Sequence, residues 1–131
     1  EESWEYEGRR VAGLFAWERA TGRAIPLRIS LTSDEGKLSA LTCEGRGADG
    51  LRLWAIERHY AIMRILEFDL RMPFDAAPQV IVPRVHRELA GTLEGDPNLE
   101  GLVRVSGGFW MIVDNWYGER SGPNELIRLS L

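Results

Sequence analysis

Two histidine–glutamate pairs carry the metal-binding and acid–base chemistry that this sequence offers. Glu57 lies two residues before His59, and His86 lies two residues before Glu88. Side chains two apart share one face of a β-strand, so each pair would project together. If the two strands were neighbours, the four side chains would converge on a site for zinc or another divalent ion, or for general acid–base catalysis. We favour the simpler interpretation, in which all four lie on a solvated outer face and no metal is bound.

Tryptophan gives a second signal, because five indole rings in 131 residues exceed ordinary usage. Indole is large and mostly apolar but carries one N–H donor, and such rings often wall cavities that bind small ligands. Strand alternation groups several rings with an arginine or an aspartate, whose charge would need a partner or a ligand if buried. The simpler alternative is an ordinary aromatic core. The predicted ligand site consists of Trp17, Trp54, Tyr60, Trp110 and Trp116, with Arg58 or Asp114 as its polar contact.

Short apolar-alternating segments, separated by glycine-bearing turns, predict the strands that must position these residues. Thr21-Gly22 and Gly107-Gly108 suit tight hairpin turns, since glycine reaches positive φ without a steric cost. The pattern predicts eight to ten strands and no long helix. Residues 24–32 form the clearest of these strands, and the others outside residues 51–71 span residues 9–19, 37–44, 79–85, 87–94, 99–106, 109–117 and 125–131.

Residues 51–71 form the one ambiguous segment, because neither glycine nor proline interrupts it. As a helix it would have only a broad and untidy apolar stripe. Its alternation at both ends and its aromatic content favour two strands. We therefore predict a hairpin that reverses near Ala61–Met63.

Three local features refine the predicted strands. The alternation changes phase within residues 37–44, which indicates a β-bulge. Pro83 breaks its segment or moves it to a sheet edge, since proline donates no ladder hydrogen bond. Phe15 and Trp17 share one face of their strand, and we expect that face to be buried.

Composition and charge limit the possible functions. The length predicts one domain over residues 1–131, and apolar and charged fractions of 44% and 27% are typical of a soluble globular protein. The net charge is −4 with acids and bases interspersed, so no basic stripe favours nucleic acid. No apolar run reaches the roughly 18–20 residues of a membrane span. The single Cys43 excludes an intramolecular disulfide, and we expect a buried, inert thiol there.

The strand pattern predicts an architecture. Strands joined by short turns usually pair as neighbours, and closing a long meander into a barrel removes its unpaired edges. We predict an all-β fold, an antiparallel up-and-down β-barrel of about 8–10 strands, with a β-sandwich as the alternative. With Trp4 and Gly8 followed by successive hairpins, the chain resembles the calycin and avidin-like up-and-down barrels. The lipocalin Gly-x-Trp motif is missing, because Ser3 and Glu2 precede Trp4.

The resemblance implies a cup that binds a small apolar molecule, and it assigns no site residue. The leading hypothesis is therefore non-catalytic binding of a small hydrophobic or aromatic ligand inside the barrel. The alternative is an interaction or assembly module with a filled barrel: a homo-oligomer, a subunit of a complex or a piece of a larger chain. Its support is the start at Glu1 rather than Met and apolar residues expected at the surface, Phe74 and Ile81.

A third hypothesis is an enzyme of the cyclase or isomerase type, in which the barrel shapes a bound substrate. Tyr60, Glu57 or Asp114 would supply the acid or base. No cofactor is predicted, because the glycine-rich residues 45–50 lack the following helix and Lys-Ser/Thr of a phosphate loop.

Overall fold

A computed structural model describes residues 3–45, 47, 50–59, 61–71, 79–93, 97–114 and 124–131. Within them the chain forms eleven strands and no α-helix. In chain order the strands are β1 (Ser3–Tyr6), β2 (Arg9–Glu18), β3 (Arg23–Ser30), β4 (Lys37–Gly45), β5 (Leu51–His59), β6 (Ile62–Leu70), β7 (Gln79–Ile81), β8 (Arg84–Glu88), β9 (Leu99–Val105), β10 (Gly108–Val113) and β11 (Glu125–Ser130).

The strands form three sheets. The first sheet has the order β1-β2-β3-β7, the central sheet β4-β5-β6-β8 and the third sheet β11-β10-β9. All pairs are antiparallel except β3 with β7, which run parallel. The predicted all-β, mainly antiparallel chain is confirmed. The closed up-and-down barrel is not, because in the part of the chain that the structure describes none of the sheets is closed and one pair is parallel.

Several local predictions are confirmed. Residues 51–71 form the β5–β6 hairpin, with Leu51 paired to Leu70 and His59 to Ile62. The β4–β5 ladder shifts register between Leu38 and Ala40, where the bulge was expected. Pro83 separates the strands β7 and β8.

The central sheet has a hydrophobic core on each face. Alternate residues of β5 and β6 point to opposite sides, and both strands place apolar residues on each side. The first core, towards the third sheet, contains Trp54, Ile56, Met63, Ile65, Leu89, Leu99, Phe109 and Met111. The second core, towards the first sheet, contains Ile25, Leu27, Ile29, Leu53, Ala55, Phe68 and Leu70.

Side chains join the central and third sheets where their edges meet. On one side, Ser39 Oγ donates to the Leu99 carbonyl at 2.7 Å, and the Arg104 N–H donates to Thr42 Oγ1 at 3.3 Å. On the other, Arg87 Nη1 donates to the Ser130 carbonyl at 2.9 Å. These side chains link the edges of the two sheets, although no backbone ladder between the sheets is formed in the described residues.

Two predictions about burial are wrong. Cys43 is exposed: although it pairs with Leu53, a residue of the second core, it lies on β4 at the edge of the central sheet. Ile81 packs against the second core, since β7 pairs with β3. Phe74 lies outside the described residues.

Within the described residues, no helix has the length and apolarity that crossing a membrane requires.

Candidate functional site

The tryptophans of the predicted ligand site lie in different layers. Trp17 is on the outer face of the first sheet and is 65% exposed. Trp54 is buried in the first core, with its ring edge-on to that of Phe109 at 5.8 Å. Trp110 is half-buried on the outer face of the third sheet. Tyr60 and Trp116 lie outside the described residues. The three described rings therefore do not share one cavity.

The two charged members of that site are held by other residues. Arg58 Nη2 donates to Glu100 Oε1, so a carboxylate on β9 neutralises this half-buried guanidinium. Asp114 follows β10, and its N–H donates to the Asn98 carbonyl at 2.8 Å. Arg58 thus has its counter-ion in Glu100, which the sequence interpretation did not consider.

The two histidine–glutamate pairs are not on neighbouring strands, because β6 lies between β5 and β8. His86 Nδ1 lies 2.8 Å from Glu67 Oε2, and Glu88 Oε2 lies 3.1 Å from Arg64 Nε. Across the described residues, no group of three or more His, Cys, Asp or Glu side chains is placed to hold a metal ion. The two pairs therefore do not converge as a metal site would require.

Glu57, a candidate acid or base, organises a loop instead. Its side chain is fully buried, and its carboxylate accepts from the Thr32 N–H at 3.0 Å, from the Thr32 hydroxyl and from the Ser33 hydroxyl at 3.2 Å. These donors tie the β3–β4 connection to β5. Burying a carboxylate is costly unless such donors satisfy it, so this contact is part of the fold.

Gly36 leaves the space that the Glu57 carboxylate occupies. A Cβ at position 36 would lie 2.1 Å from Glu57 Oε1 and 2.7 Å from Glu57 Cδ. We expect Gly36→Ala to lower the free energy of unfolding by about 1–2 kcal/mol, because the carboxylate must leave its donors. Urea denaturation followed by fluorescence measures this. The control is Gly45→Ala, where an added Cβ meets nothing within 4 Å. Equal losses in both variants would contradict the steric explanation.

Glu67 is the centre of a polar cluster beside the first core. It is 5% exposed, and its oxygens lie 2.7 Å from Arg84 Nη2, 3.1 Å from Arg52 Nη1 and 2.8 Å from His86 Nδ1. Burial by itself would raise the pKa of Glu67. The hydrogen bonds from Arg84 and His86 and the charges of Arg84 and Arg52 outweigh it and hold that pKa below its ordinary value. The cluster therefore keeps Glu67 ionised.

An open groove on the outer face of the first sheet has the features of a binding site. Its volume is about 450 Å³, and its walls include Trp4, Phe15 and Pro26. The Trp4 ring lies over Gly13, where an added Cβ would be 3.0 Å from Trp4 Cη2. A second groove, between β2 and β4, has a volume of only about 210 Å³, which is small for an organic ligand. The larger groove, which we call the aromatic groove, is the candidate site.

The aromatic groove continues into an exposed aromatic face. Phe15 and Trp17 are 73% and 65% exposed, so the expectation that they are buried is wrong. Contiguous exposed aromatic surface is uncommon on monomeric proteins and marks sites of ligand or partner contact. Among the described residues of the predicted ligand site, Trp17 alone lies on this face.

Arg28 supplies the charge of the aromatic groove. It lies directly opposite Gly13 in the β2–β3 ladder, and its guanidinium carbon is 4.2 Å from the centroid of the Tyr6 ring. The groove thus combines apolar walls with one cation, a combination that binds and orients small molecules.

Comparisons of the sequence and the structure with known proteins assign no function to this chain. The chain matches no protein-family model, no curated protein and no solved structure. A function must therefore be argued from the site itself and from its chemistry.

The sequence contains a signal for this groove that the interpretation above did not use. The Thr21-Gly22 hairpin pairs Phe15 with Pro26 and Trp17 with Ala24. Paired residues share a face, and on β3 this is the face opposite the regular series Ile25, Leu27 and Ile29. The aromatic rings of β2 must therefore point away from the core that these aliphatic residues form.

Proposed function

We propose that this protein binds a small apolar or aromatic molecule in the aromatic groove, without catalysing its conversion. The observation that carries the proposal is the groove of about 450 Å³ walled by Trp4, Phe15 and Pro26, with Phe15 73% exposed. Ligand sites commonly have volumes of about 300–1,000 Å³ and aromatic walls. Covering such rings with a ligand removes apolar area from water, which favours binding.

The proposed ligand site lies on the protein surface, whereas the sequence interpretation placed the ligand in the interior of a barrel. The space between the central and third sheets contains Trp54, Phe109 and Met111, all buried and packed together. We infer that the three sheets stack as a layered sandwich with filled cores, which is supported by the two clusters on either face of the central sheet. In such a fold the cores have no space for a ligand, and the outer aromatic face is the surface that can bind one.

The test is titration with N-phenyl-1-naphthylamine, an uncharged probe whose fluorescence rises in apolar surroundings. We expect saturable binding with a Kd of the order of 10 μM, or about −7 kcal/mol. Phe15→Ala should weaken binding about fivefold to tenfold, because it removes an exposed wall of the groove. The fluorescence titration of both proteins gives the two dissociation constants.

The matched control is Ile112→Ala, which removes a side chain that is 52% exposed on the outer face of the third sheet. Its dissociation constant should stay within twofold of that of the unchanged protein. Absence of saturable binding, or equal weakening by Phe15→Ala and Ile112→Ala, would show that the aromatic groove is not the site.

The second candidate function is assembly with another copy of the chain. It is favoured by the outer face of the third sheet, where Val103, Ile112 and Leu126 are 48%, 52% and 62% exposed. From strand spacing and residue rise, three short strands present only about 300 Å². A stable interface buries about 800 Å² per partner. This face alone is therefore too small for a stable dimer, and we place assembly second.

A further inference from the structure

Arg28 differs from the other half-buried arginines of the described chain. Arg52 and Arg58 contact the carboxylates of Asp69 and Glu100. The remaining members of this set also donate to an acceptor: Arg10 to Ser3 Oγ, Arg64 to Thr32 Oγ1, and Arg104 to the carbonyls of Val105 and Gly108. For Arg28, no hydrogen-bond acceptor is found among the described residues, and Nε and Nη1 are buried without one.

This arrangement leaves a positive charge to be compensated at the aromatic groove. Arginine stays protonated in proteins, so a half-buried guanidinium cannot relieve the cost by losing its proton. Stacking on the Tyr6 ring, with 4.2 Å between the guanidinium carbon and the ring centroid, stabilises the cation but accepts no hydrogen bond in the plane of the guanidinium. An anion at the groove would supply both the opposite charge and the acceptors.

We propose, on the basis of the function proposed above, that the ligand is a small planar apolar molecule that carries one anionic group. Its apolar part lies against Trp4 and Phe15, and its carboxylate, sulfonate or phosphate pairs with Arg28. Among the described residues that line the groove, Arg28 is the only charged one, which supports this orientation of the ligand. The net charge of −4 repels anions in general, so selectivity for an anion must come from a local cation.

The test compares two probes that differ by one anionic group: 8-anilinonaphthalene-1-sulfonate and N-phenyl-1-naphthylamine. We expect Arg28→Met to weaken binding of the sulfonate at least tenfold and to change binding of the neutral probe less than threefold. Arg28→Lys, which keeps the charge but not the planar donor set, should restore part of the sulfonate affinity. Thermal unfolding of each variant checks that the fold is kept.

The matched control is Arg128→Met. Arg128 is exposed on the third sheet, and its guanidinium carbon is 6.0 Å from the centroid of the Trp110 ring, so this variant makes the same change of charge beside another aromatic ring. Both dissociation constants should stay within twofold. If Arg128→Met weakens binding of the sulfonate probe as strongly as Arg28→Met does, the effect is due to net charge and the inference is overturned.

A competition experiment tests the unchanged protein and needs no variant. Displacement of the neutral probe by 2-naphthoate should need at least tenfold less competitor than displacement by the uncharged 2-naphthamide. A parallel titration with 2-naphthyl phosphate then shows which anionic group is preferred. Equal potency of 2-naphthoate and 2-naphthamide, with binding still dependent on Phe15, would overturn the inference and leave the proposed function standing. If none of these compounds binds, both the inference and the proposed function are overturned.

Discussion

Phe109→Ala is expected to lower the free energy of unfolding by about 4 kcal/mol, the largest effect that we predict for one substitution. The Phe109 ring is fully buried in the first core. Its centroid lies 5.8 Å from that of Trp54 and 5.7 Å from that of His86, both edge-on. The guanidinium carbon of Arg104 lies 5.1 Å from the centroid of the Phe109 ring. Truncation removes these contacts and leaves a cavity between the central and third sheets, and urea denaturation at pH 7 measures the loss.

The same chemical change at Phe15 is the control for Phe109→Ala. Phe15 is 73% exposed, so Phe15→Ala removes little buried area and should cost less than about 1 kcal/mol. The pair therefore separates the effect of burial from that of deleting a phenyl ring. Similar losses in the two variants would contradict the placement of Phe109 in the core and of Phe15 on the surface.

Glu67→Gln is expected to lower the free energy of unfolding by about 2–3 kcal/mol at pH 7. The change leaves Arg84, Arg52 and His86 without the carboxylate that they contact. The pKa of Glu67 is lower in the folded protein than its ordinary value. Its contribution to stability is therefore present above about pH 4.3, the ordinary glutamate value, and is lost as the pH falls through that value and below. Urea denaturation between pH 7 and pH 3 should show the two proteins converging in stability towards the acid end.

The control for Glu67→Gln is Glu88→Gln. The Glu88 side chain is 48% exposed and pairs with Arg64, so its loss should cost less than about 1 kcal/mol at pH 7. A difference between Glu67→Gln and the unchanged protein that stays constant down to pH 3 would contradict the lowered pKa. A loss as small as that of Glu88→Gln would contradict the burial of the Glu67 carboxylate.

The sequence was sufficient for the local structure. Glycine in the turns at Gly22 and Gly107 has φ values of 71° and 78°, which glycine adopts at little cost. The series Ile25, Leu27 and Ile29 is buried, as its alternation indicates. The β5–β6 hairpin follows from strand propensity over residues 51–71. All of these features depend on residues close together in the chain.

The candidate site was harder to predict because it depends on which face of a strand is covered. Both faces of β2 carry apolar residues, with Leu14 half-buried against the second core and Phe15 on the surface. Alternation shows that these two residues lie on opposite sides but does not say which side packs. The large aromatic rings suggested the core, whereas Leu14 and Ala16 are the residues on the side of β2 that packs against the second core. That Arg28 has no acceptor among the described residues is likewise a property of the folded chain and not of the local sequence.

By itself the sequence determined an all-β chain, most of its strand boundaries and the residues that share each strand face, because hydrophobic period and turn chemistry act locally. The tertiary structure decided how the strands divide into three open sheets, with β7 parallel to β3. It also decided which charges meet: Glu67 contacts Arg84 and His86, which are 17 and 19 residues away in the chain. The physical reason is that such contacts depend on strand order and register between distant segments, and these are selected by the packing of the whole chain.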